Sequence, residues 1–212
     1  MQNLHVKDEI IIVGARGMGR ELAGYMNAEG YKIKGFLDDL SGQGEWTNQF
    51  PILGSPESWE PKGNERFIVA LGDAKWRRYY VDLLMPKNAK FATFVSNQAY
   101  IGPNVQIGEG SIVSPTAVIT ADVVLGKHSI LNVHTSISHD CIVGDFVTLS
   151  PGARITGCCI VMQDVFLGVN SSLLPRITIP QGVIVGAGSV VIKSCEENDS
   201  VLVGVPAKIK VN

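Results

Sequence analysis

The chain has 212 residues, 45% hydrophobic and 18% charged, with a formal net charge of -2 and a pI near 6.1. That length allows one large or two small domains, and so apolar a composition excludes extensive disorder. The near-neutral charge balance argues against nucleic-acid or anionic-membrane binding, and no apolar run is long enough to span a bilayer.

Met1 to Glu9 is polar and lacks a signal-peptide core, so a cytoplasmic location without membrane insertion is expected. Glu9-Ile10-Ile11-Ile12-Val13 is a short, continuous apolar run of the kind a buried parallel strand needs. Gly14-Ala15-Arg16-Gly17-Met18-Gly19 follows, and Arg20 to Met26 fits a helix with Leu22, Tyr25 and Met26 on one face. A strand, a glycine turn and a helix start bring free N–H groups and the helix dipole to one point, which suits an anion. The spacing is GxxGxG and not the GxGxxG dinucleotide fingerprint, and close strand-to-helix packing is an alternative reason for these glycines. Tyr31 to Asp39 reads as a second strand ending in Asp38 and Asp39, where such sheets bind nucleotides; a solvated strand end or a helix cap is the plainer alternative.

Ser41 to Gly54 reads as a loop, followed by an irregular segment around Trp59. Arg66 to Asp73 is a third buried strand, Ala74 to Met85 a helix ended by Pro86, and Phe91 to Val95 a last strand. The pattern βαβ…βαβ over residues 1–95 predicts a small Rossmann-like domain, too short for a two-lobed dehydrogenase.

Residues 96–212 follow another rule. From Ile101 to Val191 every sixth residue is Ile, Leu or Val without a break, and four residues after most of them comes a small or β-branched residue. In a strand, residues two apart share a face, so that small residue and the next aliphatic both point inward, and the residues between them turn a corner. Several of the residues directly after the aliphatics are glycines, among them Gly102, Gly126 and Gly168, as a tight bend would favour. Three flats of six close a coil of eighteen, which predicts a parallel β-helix of about five coils and a terminal segment, Val201 to Lys208, that caps it. The fold class expected is therefore α/β followed by all-β. Resemblance to hexapeptide-repeat β-helices implies a left-handed coil.

A repeat core does no chemistry, so candidate residues belong at its corners. Besides His5, the histidines are His128, His134 and His139, and Asp140 follows His139. A carboxylate beside an imidazole orients it and raises its basicity, which suits a general base; a plain surface pair is the alternative. His134 and His139 are five apart, the spacing of the histidine pair in γ-type carbonic anhydrases, but the third upstream ligand is missing and no metal is expected. Cys141, Cys158, Cys159 and Cys195 contain no CxxC pair and read as reduced core residues.

Over nearly its full length the chain resembles the acyltransferases that acetylate nucleotide-activated amino sugars, together with their sialic-acid O-acetyltransferase-like relatives. The motifs that carry the resemblance are Gly14 to Gly19, Phe36-Leu37-Asp38-Asp39, Ala70-Leu71-Gly72, Ile137 to Gly144, Leu173-Leu174-Pro175 and Val203 to Lys208. The resemblance implies a homotrimer with acetyl-CoA, the co-substrate, between neighbouring β-helices. It implies that His139 is the base, that Asp140 tunes it, and that the Gly157 N–H faces the oxyanion. Thr148, Gly157, Val169 and Ala187 would meet the coenzyme. Gly14, Arg16, Gly17, Asp38, Asp39 and Gly72 would hold the nucleotide sugar. Some relatives carry a histidine where this chain has Met18 or Thr148, and often Glu at Asp140, so the sugar and the base tuning are left open. The expected activity is N-acetylation of a UDP-linked 4-amino sugar for surface glycans. The alternatives are O-acetylation, a catalytically silent nucleotide-sugar scaffold, or a metalloenzyme.

Overall fold

The computed structural model describes residues 8–40, 42, 44–47 and 49–210. His5 with most of the polar tail, and Ser41, Gln43 and Asn48 of the expected loop, lie outside the described residues. The chain divides into two compact units, Met1–Ser96 and Asn97–Asn212.

The first unit is built on a five-stranded sheet. Strand β1 (Glu9–Val13) is an interior strand, parallel to β2 (Ile33–Leu37) on one side and to a later strand, Glu65–Val69, on the other. Ile10 to Val13 are all buried, which is why this run carries no polar alternation. Helix α1 (Gly17–Ala28) starts inside the glycine turn and buries Gly19, Leu22, Ala23 and Met26. The expected loop to Gly54 is a correction: Trp46–Thr47 (β3) pairs antiparallel with Phe50–Gly54 (β4), and β4 joins β2 in parallel. The Gly, Asn and Gln residues around this hairpin hide its strands from a reading by composition. With Glu65–Val69 as β5, the sheet order is β3-β4-β2-β1-β5. Helix α2 (Ala74–Leu84) stops one residue sooner than expected, and a 3-10 turn, Met85–Lys87, carries the chain through Pro86. The expected strand from Phe91 reduces to a single bridge to Phe67 and the pair Phe94–Val95.

The second unit is a parallel β-solenoid. Two-residue strands recur every six positions from Tyr100–Ile101 to Val190–Val191, each paired in parallel with the strand eighteen residues away, as in Val118↔Ser136 and Ile119↔Ile137. The sheets formed carry six, five and eight strands. A count of about five coils therefore does not describe every face. The longest is extended past the repeat by the antiparallel hairpin Val201–Gly204 and Ala207–Ile209, stacked on Ile184–Val185. Inside, Ile119, Ile137, Ile155 and Leu173 stack with no exposure. A run of such columns is a continuous dry core, each coil burying its neighbour.

The bends have a division of labour. The third residue after each aliphatic from Ile101 to Val185 takes a positive φ, at Asp122, Asp140, Cys158 and Arg176 among others. The glycine directly after an aliphatic serves a different need. At Gly126 the backbone of Gly144 and Asp145 in the next coil stands where a Cβ would fall, so close stacking, not left-handed φ, excludes a side chain there.

Candidate active site

In the first unit, Gly14 has φ 100, and a Cβ on Gly19 would collide with the Gly14 carbonyl, so turn shape and close helix packing account for those two glycines. Gly17 is different: apart from its chain neighbours and its own helix backbone, no protein atom lies within 4 Å of where its Cβ would be. The space above the helix start is open, and Arg16, the residue before the helix, is exposed. Asp38 stitches the turn to the sheet, its two oxygens accepting from the Ala15 N–H and the Leu40 N–H, both at 2.8 Å. Asp39 accepts from the Tyr80 hydroxyl at 2.7 Å and from the Ser55 hydroxyl. Burial and that hydrogen bond to Asp39 push the Tyr80 phenol well above its ordinary range, so Tyr80 stays a neutral donor. Gly72 lies on the loop before α2; Asp73 caps the helix through the N–H groups of Lys75 and Trp76. The guanidinium of Arg77, fully buried, donates to the carbonyls of Leu71 and Gly72 and shapes this loop from beneath.

Ser55, Arg77 and Tyr80 were not legible as site residues. Arg77 left one trace: it sits on the stripe i, i+4, i+7 with Val81 and Leu84, a charge where an apolar residue belongs.

In the solenoid, the three histidines stand on three different corners. His128 follows the strand Val124–Leu125, is 4% exposed and stacks on Phe146 with ring centroids 5.1 Å apart. His134 follows Ile130–Leu131, its Nδ1 3.0 Å from the Thr116 hydroxyl. His139 follows Ser136–Ile137. Within one chain they do not converge on one point.

His139 and Asp140 are both exposed, and Nδ1 is 2.7 Å from the Asp140 carboxylate. This is a consequence of the bend: Asp140 holds φ 58, a region that Asp tolerates, and its short side chain turns back toward the preceding residue. The ring lies over the next coil, so close that a Cβ on Gly157 would stand 2.8 Å from Cε1 and Nε2. The corner is locked by backbone bonds from Cys158 N–H to the His139 carbonyl, 2.9 Å, and from Arg176 N–H to the Gly157 carbonyl, 3.0 Å. Cys158 is half-buried beside the pair. Cys141 and Cys159 are buried in the core and donate to the carbonyls of Thr156 and Leu174. Hydrogen bonding with Cys159 and burial push the Cys141 thiol up, and it is no nucleophile.

The coenzyme candidates fall elsewhere. Val169 and Ala187 are both exposed and lie eighteen residues apart on another corner, the one that follows Thr148–Leu149 and its stacked partners. Thr148 is only 2% exposed, so its side chain is closed off within the chain. A third group is apolar: Val124, Ile142 and Ile160 form a column on the face after the His139 corner, 40%, 53% and 41% exposed.

Residues 9–84 match a family described as the PglD N-terminal domain. Over 99% of its length the chain superposes on perosamine N-acetyltransferase from Caulobacter crescentus, solved as a His-to-Asn variant with CoA and GDP-perosamine; identity is 27%, TM-score 0.91, with 100% of that chain covered. The acetyltransferase domain of PglB from Neisseria gonorrhoeae FA1090, in complex with acetyl coenzyme A, is 30% identical with a TM-score of 0.88, covering 96% of this chain and 100% of the other. WeeI from Acinetobacter baumannii AYE is 29% identical, TM-score 0.87, over 95% and 99%. No curated protein sequence matches the chain. The Caulobacter and Neisseria proteins that this chain superposes on over nearly its whole length are acetyltransferases. The chain belongs to the hexapeptide-repeat sugar acetyltransferase family and is an acetyltransferase.

Proposed function

We propose that the enzyme transfers the acetyl group of acetyl-CoA to the amino group of a nucleotide-linked 4-amino sugar, in a left-handed solenoid. The observation that carries this reading is the His139 ring, bonded at Nδ1 to Asp140 and lying against Gly157. With Nδ1 committed to the carboxylate, Nε2 is the nitrogen free to take a proton from the attacking amine. The amine nitrogen bonds to the thioester carbonyl carbon, and the oxygen gains the charge. The Gly157 N–H, not spent on the corner's ladder bonds, is the fixed dipole that offsets it. The C–S bond then breaks, and CoA leaves as the thiol with the proton held on His139.

Two observations support a homotrimer with shared sites. Val169 and Ala187, the proposed coenzyme contacts, are exposed on a different corner from His139, an arrangement that suits a coenzyme held between neighbouring copies. The exposed Val124–Ile142–Ile160 column beside the His139 corner is the kind of apolar stripe a second copy covers. In the first unit, the open space over Gly17 suits a phosphate at the start of α1, and Asp39, Arg16 and Gly72 are the residues assigned to the rest of a nucleotide sugar. Asp38 acts there by holding the turn.

A UDP-linked sugar is the first acceptor to test. A GDP-linked sugar is the second, favoured by the GDP-perosamine bound to the Caulobacter enzyme. The test is thiol release from acetyl-CoA with UDP- and GDP-linked amino sugars and their hydroxyl counterparts. Release with one amino sugar supports the reading. Release only with hydroxyl acceptors makes it an O-acetyltransferase, and binding without release makes it a scaffold.

A further inference from the structure

The catalytic corner holds a third donor that acetyl transfer does not use. The thiol of Cys158, the imidazole of His139 and the carboxylate of Asp140 place ligand atoms within 4.8 Å of one another. We propose that these three side chains form a binding site for a thiophilic divalent cation, with Zn2+ as the type, and that its occupancy inhibits the enzyme.

Sulfur, nitrogen and oxygen donors on three side chains, with a fourth position left to water, are a set that Zn2+ accepts in tetrahedral geometry. At metal–ligand lengths of about 2.0–2.3 Å, donors around one ion are on the order of 3.5 Å apart, so the group must draw in slightly. The corner allows that. Its backbone is fixed by the bond from Cys158 N–H to the His139 carbonyl, while the side chains of His139 and Asp140 are 61% and 59% exposed and can turn once their mutual hydrogen bond is given up. Asp140 and Cys158 hold the same left-handed bend, φ 58 and 61, one coil apart, so both side chains leave the corner from equivalent stacked positions. The other thiols of the repeat are unsuited, since Cys141 and Cys159 are buried and donate to carbonyls.

Binding would release the thiol proton to solvent. The cation then either replaces the His139–Asp140 hydrogen bond or takes the imidazole lone pair meant for the amine proton, and both stop proton abstraction. The block rests on His139 being the base; the binding does not.

The test is titration of the full chain with Co2+, followed by displacement with Zn2+. One ion per chain is expected, with a thiolate-to-cobalt charge-transfer band that Cys158→Ser abolishes. Zn2+ affinity should fall by about tenfold or more in Cys158→Ser and in His139→Ala. A band that persists in Cys158→Ser, or that only Cys195→Ser removes, would overturn the site, as would no binding at millimolar ion. In the acetyl-transfer assay Zn2+ should inhibit reversibly with a chelator, and Cys158→Ser should need about tenfold more Zn2+ for the same inhibition. Stoichiometric binding with unchanged transfer would overturn the block and count against His139 as base. Binding in a protein that transfers no acetyl group would fault the proposed function and leave the cation site standing.

Discussion

The two units place a carboxylate beside a working group by opposite means. In the sheet unit, Asp39 is held by Ser55 and Tyr80, 16 and 41 positions away in sequence, and Asp38 reaches back 23 positions to Ala15. In the solenoid, Asp140 holds the residue directly before it, and the backing, Gly157 and Cys158, comes from the coil eighteen positions on. One site is assembled by long-range side-chain bonds that depend on a particular fold. The other is set by a bend conformation that the repeat reproduces at every corner. The sheet site should therefore lose function in small steps as single bonds go, whereas the solenoid site should be sensitive to backbone register.

The largest expected effect lies in the solenoid core. Ile155 is fully buried between Ile137 and Leu173 of adjacent coils, and Ile155→Ala should cost about 2–5 kcal/mol. Urea unfolding should show a lower midpoint at unchanged slope. Gly157→Ala tests the packing of the His139 ring at the corner. Its methyl would stand 2.8 Å from the His139 ring and displace it, so kcat should fall by about 10²-fold while far-UV dichroism and melting barely change.

Smaller effects are expected in the sheet unit. Glu65 is buried and accepts from Lys34 at 2.6 Å, from the Lys62 N–H and from the Trp59 indole. Burial alone would push its carboxyl up, but these donors more than offset it and hold it below the ordinary 4.5. A lowered folded value means that the unfolded chain binds the proton more readily. The stability Glu65 contributes is thus full above pH 4.5 and is lost as pH falls through the lower, folded value. Glu65→Gln should cost about 1–3 kcal/mol at neutral pH and flatten the acid side of the stability profile, read by thermal melts from pH 6 downward. The smallest expected effect is Tyr80→Phe. It removes one donor to Asp39, worth about 0.5–1.5 kcal/mol, and should raise KM for the nucleotide sugar about 2- to 12-fold with kcat unchanged. A fall in kcat instead would mean that Asp39 acts beyond binding.

The same contrast governs what could be read from sequence. The solenoid announces itself because one period repeats through every coil, and His139–Asp140 is legible because the partners adjoin. The sheet site is not, since nothing local links Ser55 or Tyr80 to Asp39, and Arg77 shows only as a misplaced charge on a helical stripe. The hairpin of β3 and β4 was hidden because its turn-forming residues dominate its composition. Thr148 marks a limit within the repeat itself. It occupies the outward-facing position next to Leu149, where exposure would be expected, yet it is 2% exposed, and periodicity alone does not say what covers a face.

The most direct measurement of the central claim is the carbonyl 13C spectrum of the product formed from [1-13C]acetyl-CoA and a nucleotide-linked 4-amino sugar, for wild type and His139→Ala. The account predicts an amide, stable to mild base, from the wild type, and a rate lower by about 10²–10⁴ from the variant with acceptor binding retained. A base-labile ester, or an amide formed equally fast by His139→Ala, would contradict it.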